Sequence, residues 1–108
     1  MMPMPSQRAV RTELAFHMLE RYEKAMNPMT TGDANRIMAA RFSLDDEQRG
    51  ASYRSGRNQW VAIVGYAKLS LKLAGFIRPV ARDQWIITEL GIRKLKEAGE
   101  SGISAAGG

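Results

Sequence analysis

Seven basic side chains, Arg49, Arg54, Arg57, Lys68, Lys72, Arg78 and Arg82, fall between Glu47 and Asp83, and no acid lies among them. Residues 1–53 hold seven Lys or Arg against seven Asp or Glu, and residues 54–108 hold nine against four, so the formal charge of +5 resides in the second half. A localised basic face attracts polyanions, because phosphates brought to it release their condensed counterions. Other chemistries have little to stand on. There is no cysteine and one histidine, His17, which excludes disulfides and thiolate metal sites and leaves no set of residues for zinc. No nucleophile–base pair or phosphate-cradling glycine loop is present, so neither catalysis nor a cofactor is expected. No apolar run reaches membrane-spanning length and Met1–Pro5 is too short for a signal peptide, so a cytoplasmic, nucleoid-associated setting is expected.

The elements that must carry these cations can be read in order. Residues 1–5 form a loose leader with two prolines, and residues 6–98 form one domain. Ser6 suits the N-cap of a first helix over about 7–26, whose Val10, Leu14, Met18, Tyr22 and Met26 recur every four residues. Asn27-Pro28 ends it. Asp33 or Thr31 then caps a short helix over about 34–42, and Ser43-Leu44-Asp45-Asp46 has the spacing of another capping box. Ser55 is the expected N-cap of the longest periodic segment, Gly56 to Ala74, which Gly75 closes in a left-handed conformation. Phe76-Ile77 and Trp85-Ile86-Ile87 flank a turn-rich stretch and predict a hairpin, with Pro79 at a strand edge. Thr88 caps a last helix over about 89–98, and residues 99–108 are expected to be a disordered, glycine-rich tail. Three helices, a hairpin and a closing helix make a mainly α, α+β chain: a winged helix-turn-helix with a two-stranded wing.

On the long helix, Trp60, Val64, Ala67, Leu71 and Ala74 fall on one line with Ile63 beside them, and this is the expected core face. Asn58, Val61, Gly65, Lys68 and Lys72 are expected to look outward, flanked by Arg57. Lysines suit phosphates, an Asn can pair bidentately with adenine, and Val61 can touch a thymine methyl. Gly65 costs about 1 kcal/mol in a helix interior and would let a partner approach the backbone, or serve helix packing instead. Lysines on an exposed helix are often mere solvated charge, but such faces usually mix signs and this one carries no acid. Arg54 and Arg57 near the helix start suit a phosphate, and Arg78 and Arg82 bracket the wing tip, where an ordinary charged turn is the alternative. Trp60 and Trp85 are expected in the core, and His17 half-exposed on the surface.

Several of these words occur together in a known order. Ser55-Gly56-Arg57, Trp60, Val64-Gly65-Tyr66-Ala67, Leu71, Ala74-Gly75-Phe76-Ile77 and Trp85-Ile86-Ile87-Thr88-Glu89-Leu90-Gly91 resemble the N-terminal domain of Mrr-type restriction proteins, over roughly residues 33–98. Tyr66 stands where that family usually has Trp. The resemblance implies a winged helix serving as the DNA-recognition half of a modification-dependent endonuclease, whose cleavage domain is separate. It does not carry over nuclease activity: no P-D…(D/E)-x-K arrangement is present, and Asp45-Asp46-Glu47 has no lysine at the required spacing. The expected partner is double-stranded DNA, modified or plain, together with a second copy or a nuclease. The expected role is a non-catalytic recognition domain or small transcription-type regulator in a restriction or defence system. The alternative is an adaptor that docks protein through the apolar shoulder Ala62, Leu69 and Leu73 and through Met18, Met26, Met29 and Met38.

Overall fold

A computed structural model describes the backbone of residues 3–107 and side chains as far as Gly99. Helix α1 (Gln7–Glu23) starts at Ser6, whose hydroxyl accepts from the Ala9 amide at 3.1 Å. It ends earlier than the apolar spacing suggests, because Ala25 takes a positive φ of 55° and the Met26 amide turns back to the Arg21 carbonyl at 2.7 Å. Helix α2 (Thr31–Arg41) is capped by Thr30 rather than by Thr31 or Asp33. Asp33 instead completes the reciprocal box, accepting from the Thr30 amide. A one-turn helix α3 (Asp46–Gly50) is capped by Asp45 with Gln48 in the reciprocal role, a different pair from Ser43 and Asp46. Gln48 is buried and donates to the Pro3 carbonyl at 3.1 Å, and Met4 packs on the core, so the leader is tied down from Pro3 onward. Met1 and Met2 lie outside the described residues.

Helix α4 (Gln59–Leu73) starts at Asn58 and not at Ser55. Ser55 sits instead in a tight turn, where the Gly56 amide donates to the Tyr53 carbonyl at 2.9 Å and Gly56 adopts φ +89°. Ser52 and Asn58 bridge at the base, making 52–58 a narrow projecting loop. At its other end Ala74 is the C-cap and Gly75 follows at φ +80°. The Phe76 amide donates to the Leu71 carbonyl and the Gly75 amide to that of Lys72, the bonding of a Schellman motif. Strands β1 (Ile77–Ala81) and β2 (Gln84–Ile87) pair antiparallel, with a register irregularity between Pro79 and Ala81. β2 also bridges Met29, each residue's amide donating to the other's carbonyl at 2.9 Å, so β1 with its proline is the outer strand. Helix α5 (Glu89–Gly107) starts at Thr88, whose hydroxyl accepts from Gly91 N–H and donates to the Gly75 carbonyl; it runs on where a loose tail was expected from residue 99. This is the expected winged helix-turn-helix, with α3 inserted between α2 and the long helix.

The core is built where α1 lies along α4. Val10, Leu14, Met18, Met29, Met38, Val64 and Leu71 are fully shielded, and Trp60 is buried with its indole N–H donating to the Asn35 carbonyl at 2.9 Å. Met18, Met29 and Met38 are therefore core and not a docking surface; Met26 alone of the four is exposed. Ala62, expected on an outer shoulder, is buried, while Ala74, expected in the core, is exposed at the helix end. Gly91 closes the joint between α5 and the wing. A Cβ there would collide with the Phe76 carbonyl and come within 2.9 Å of Ile87.

His17 is buried, contrary to the half-exposed position expected. Its Nδ1 lies 3.3 Å from Arg41, which also reaches Glu20 at 2.8 Å and Glu13 at 3.7 Å, so a polar seam joins α1 to α2. Burial first, then the guanidinium groups of Arg41 and Arg21, hold His17 below its usual pKa of about 6.5. The unfolded chain thus takes up this proton at a higher pH than the folded one. Stability should be full above about pH 6.5 and decline as pH falls through that value toward the depressed folded one. Denaturant midpoints measured from pH 7.5 to 5.5 should show the decline, and His17→Gln should flatten it. Gly91→Ala should separately cost about 1–3 kcal/mol by overpacking, read from the same unfolding curves.

Candidate nucleic-acid interface

The wing is clamped to the helices through Trp85. Its backbone is tied to Met29, and its half-buried ring carries the Lys68 ammonium at 4.9 Å and that of Lys72 at 5.9 Å from the centroid. Lys68 is half-buried and also donates to the Thr31 hydroxyl at 2.7 Å. Desolvation lowers its pKa, partly offset by the nearby Asp83 carboxylate. Asp83, at the wing tip with φ 56°, accepts from the Thr31 amide at 3.2 Å and from the Thr31 hydroxyl. Those hydrogen bonds, together with Lys68, keep its carboxyl below the ordinary range. Lys68 is thus a strut between α4, α2 and the wing, not an outward lysine.

The helical arithmetic gives the reason. At about 100° per residue, Lys68 lies about 80° and Lys72 about 120° around from Trp60, toward the wing and not opposite the core. Val61 and Gly65 fall in the same sector, at about 100° and 140°. The sector diametrically opposite Trp60 is apolar: Leu69 is 46%, Tyr66 50% and Leu73 78% exposed. Lys72 and Val61 are exposed on the wing side. Gly65 is open, since a Cβ there would have Arg57 as its nearest neighbour at an ordinary 3.9 Å. The fold itself does not require glycine at this position.

Arg54 stands at the tip of the 52–58 loop. Arg57 leaves its stem to lie over the Tyr66 ring, 5.5 Å from its centroid, an interaction that orders the guanidinium without neutralising it. Asn58 is tied into the chain: Oδ1 accepts from the Val61 amide at 3.0 Å and Nδ2 donates to the Arg49 carbonyl at 2.7 Å. Its side chain caps α4 and, with one amide hydrogen and one oxygen lone pair unused, borders the cleft between α2 and α4. Between α2 and the start of α4 lies an open cleft of about 360 Å³, bordered by Gly32, Asn35, Arg36, Arg49 and Val61. On the wing, Arg82 lies at the tip. Arg78 pairs with Ile86 in register, and strand alternation puts both on the face away from Trp85, bordering a hollow with Tyr22. Arg78 is therefore separated from the lysines.

The ion pairs are unevenly distributed. Arg21, Lys24, Arg36, Arg41, Arg49 and Lys94 each meet a carboxylate within 4 Å, whereas among the described residues Arg54, Arg57, Lys68, Lys72, Arg78 and Arg82 meet none, and neither do Arg8, Arg11, Arg93 and Lys96 away from α4 and the wing. Sequence reasoning missed Thr31, Asp83 and Tyr66. The first two are joined across 52 residues, which no local pattern signals. Among the described residues no helix is long and apolar enough to cross a membrane, and no cluster of three or more His, Cys, Asp or Glu side chains could hold a metal.

A model of the Mrr N-terminal domain matches residues 12–97, from the second turn of α1 into α5. The chain belongs to the Mrr N-terminal domain family. Members of this family are N-terminal domains of restriction proteins. No curated protein and no solved structure matches the chain. In this Mrr N-terminal domain Asn58 carries a structural duty, so Asn58→Ala should cost about 1 kcal/mol through loss of the cap, measured by chemical denaturation.

Proposed function

We propose that this Mrr N-terminal domain is a non-catalytic recognition module or small regulator of a restriction or defence-type system, binding double-stranded DNA. The observation that carries this reading is the set of cations around α4 left without carboxylate partners, beside ion pairs that satisfy most of the others. The Val61, Gly65 and Lys72 side of α4 enters the major groove. Arg57 and Arg54 meet phosphates at one end of the helix, and Arg82 on the wing meets them at the other. Lys68 holds the wing in place, Asn58 caps the helix, and Arg78 stays out of the contact. A nuclease supplied elsewhere would do the cutting, and the nucleoid of the cytoplasm is the compartment such a module serves.

Four cations on the contact side, Arg54, Arg57, Lys72 and Arg82, give a slope of log K against log salt of about −3 to −4. Fluorescence anisotropy with a duplex of random sequence, titrated from low to moderate salt, measures it. The triple change Arg57→Ala, Lys72→Ala and Arg82→Ala should weaken binding to all sequences alike and make the slope shallower by about 3. Binding that ignores salt would sink this reading. The same assay on plain and methylated duplexes tells whether a modified base is read.

One observation favours the second reading, a protein-docking or dimerising winged helix. The exposed stripe Tyr66, Leu69 and Leu73 is large for a solvated helix face. A mass that rises with concentration, with no duplex affinity at low salt, is the outcome that selects it.

A further inference from the structure

The one acid at the wing tip is turned back onto the start of α2, where an N–H group and the Lys68 ammonium converge. Asp83 accepts both the amide and the hydroxyl proton of Thr31, the first residue of α2, and Lys68 donates to that same hydroxyl at 2.7 Å. The free amides of a helix N-terminus carry partial positive charge, and an ammonium beside them adds a full one. A carboxylate fits such a place for the reasons that a phosphodiester oxygen does: one negative charge and acceptor lone pairs. Asp33 is the other acid near enough to act on Asp83, and it opposes the charge there.

We propose that Asp83 is a built-in competitor of DNA phosphate, an autoinhibitory latch that fills the Thr31–Lys68 site until nucleic acid displaces it. The proposal rests on the DNA reading above and adds its regulation. In the free protein the latch closes the wing on α2 and holds the Lys68 ammonium against the Thr31 hydroxyl beside the Asp83 carboxylate. On DNA, a backbone phosphate near α2 takes over the Thr31 amide and the Lys68 ammonium, and the Asp83 carboxylate is released to solvent. The latch therefore subtracts from affinity for every duplex alike, and it favours contacts that bring a phosphate close to α2 over loose electrostatic encounters.

Asp83→Asn keeps the tip geometry, because asparagine tolerates the left-handed conformation, while removing the charge. Anisotropy against one duplex should show binding tighter by about five- to ten-fold near 0.1 M salt. In a Lys68→Met background, which retains a stem to pack on Trp85, the same change should gain nothing. Equal binding by wild type and D83N overturns the latch alone. Failure of both to bind any duplex at low salt overturns the DNA reading and the latch with it. A second arm uses no DNA. The Thr31 amide cross-peak of Asp83→Gly, which empties the site and suits the positive φ, should move with inorganic phosphate while the wild-type peak does not. Identical behaviour of the two proteins, moving or still, overturns the proposal.

Discussion

The indole of Trp85 is the joint on which the surface depends. Its backbone is held by Met29 on one side and the β1 pairing on the other, and its ring is the platform for both lysines of α4. Without that platform the wing would be a two-stranded ribbon, too small to be stable by itself. With it, the hairpin becomes the third edge of a rigid frame made of α4, the start of α2 and the wing. Long basic side chains normally lose rotamer freedom when they meet a partner. Here Lys68 and Lys72 rest on an aromatic ring and Arg57 on that of Tyr66, so part of that cost is met during folding.

Charge is allotted in two ways along the chain. In the first half most of the bases meet an acid, in the seam where Arg41 links Glu13 and Glu20 and in the local pairs Arg36–Asp33 and Arg49–Asp46, while among the described residues Arg8 and Arg11 meet none. Hydrogen bonds from Lys24 on the same helix and then from Arg41 across the seam lower the pKa of Glu20 to about 2. Between Glu47 and Glu89 the chain has one acid, Asp83, against seven cations, and among the described residues ion pairing resumes only at Lys94–Glu97 in α5. Uncompensated like charges repel one another and work against compaction. Such a distribution persists more readily where an anionic partner relieves it, and this is the physical basis for reading the face as an interface.

What was legible in the amino-acid sequence was what local rules decide. The line Trp60, Val64, Ala67 and Leu71 did form the buried side of α4, Gly75 did take the positive φ, Thr88 did cap α5, and Pro79 did fall on an outer strand. What escaped was decided between elements. Ser55 and Asn58 are both sound caps three residues apart, and the choice was made by the Ser52–Asn58 bridge and by the Arg49 carbonyl that holds the Asn58 amide. Lys68 looked free because nothing local announces that Thr31 and Trp85 converge on it. Met29 carries no strand pattern because its pairing is a single bridge. His17 looked like a surface residue because the residues that bury it come from another helix.

Gly65 bears on the whole of α4 in a different way. Glycine inside a helix costs about 1 kcal/mol relative to alanine, and packing often explains its presence. Gly91 is such a case, since any side chain there would strike the Phe76 backbone. At Gly65 the nearest atom to a built Cβ is the end of the Arg57 side chain at an uncrowded distance, so the fold would accommodate alanine. Close packing therefore does not explain the glycine here. It coincides in position with Val61 and Lys72, on the sector between the wing and the apolar stripe, where a bare stretch of helix backbone admits a neighbour more closely than any side chain would. A partner laid against that backbone would use the room Gly65 leaves, in line with the proposed role of the cations beside it.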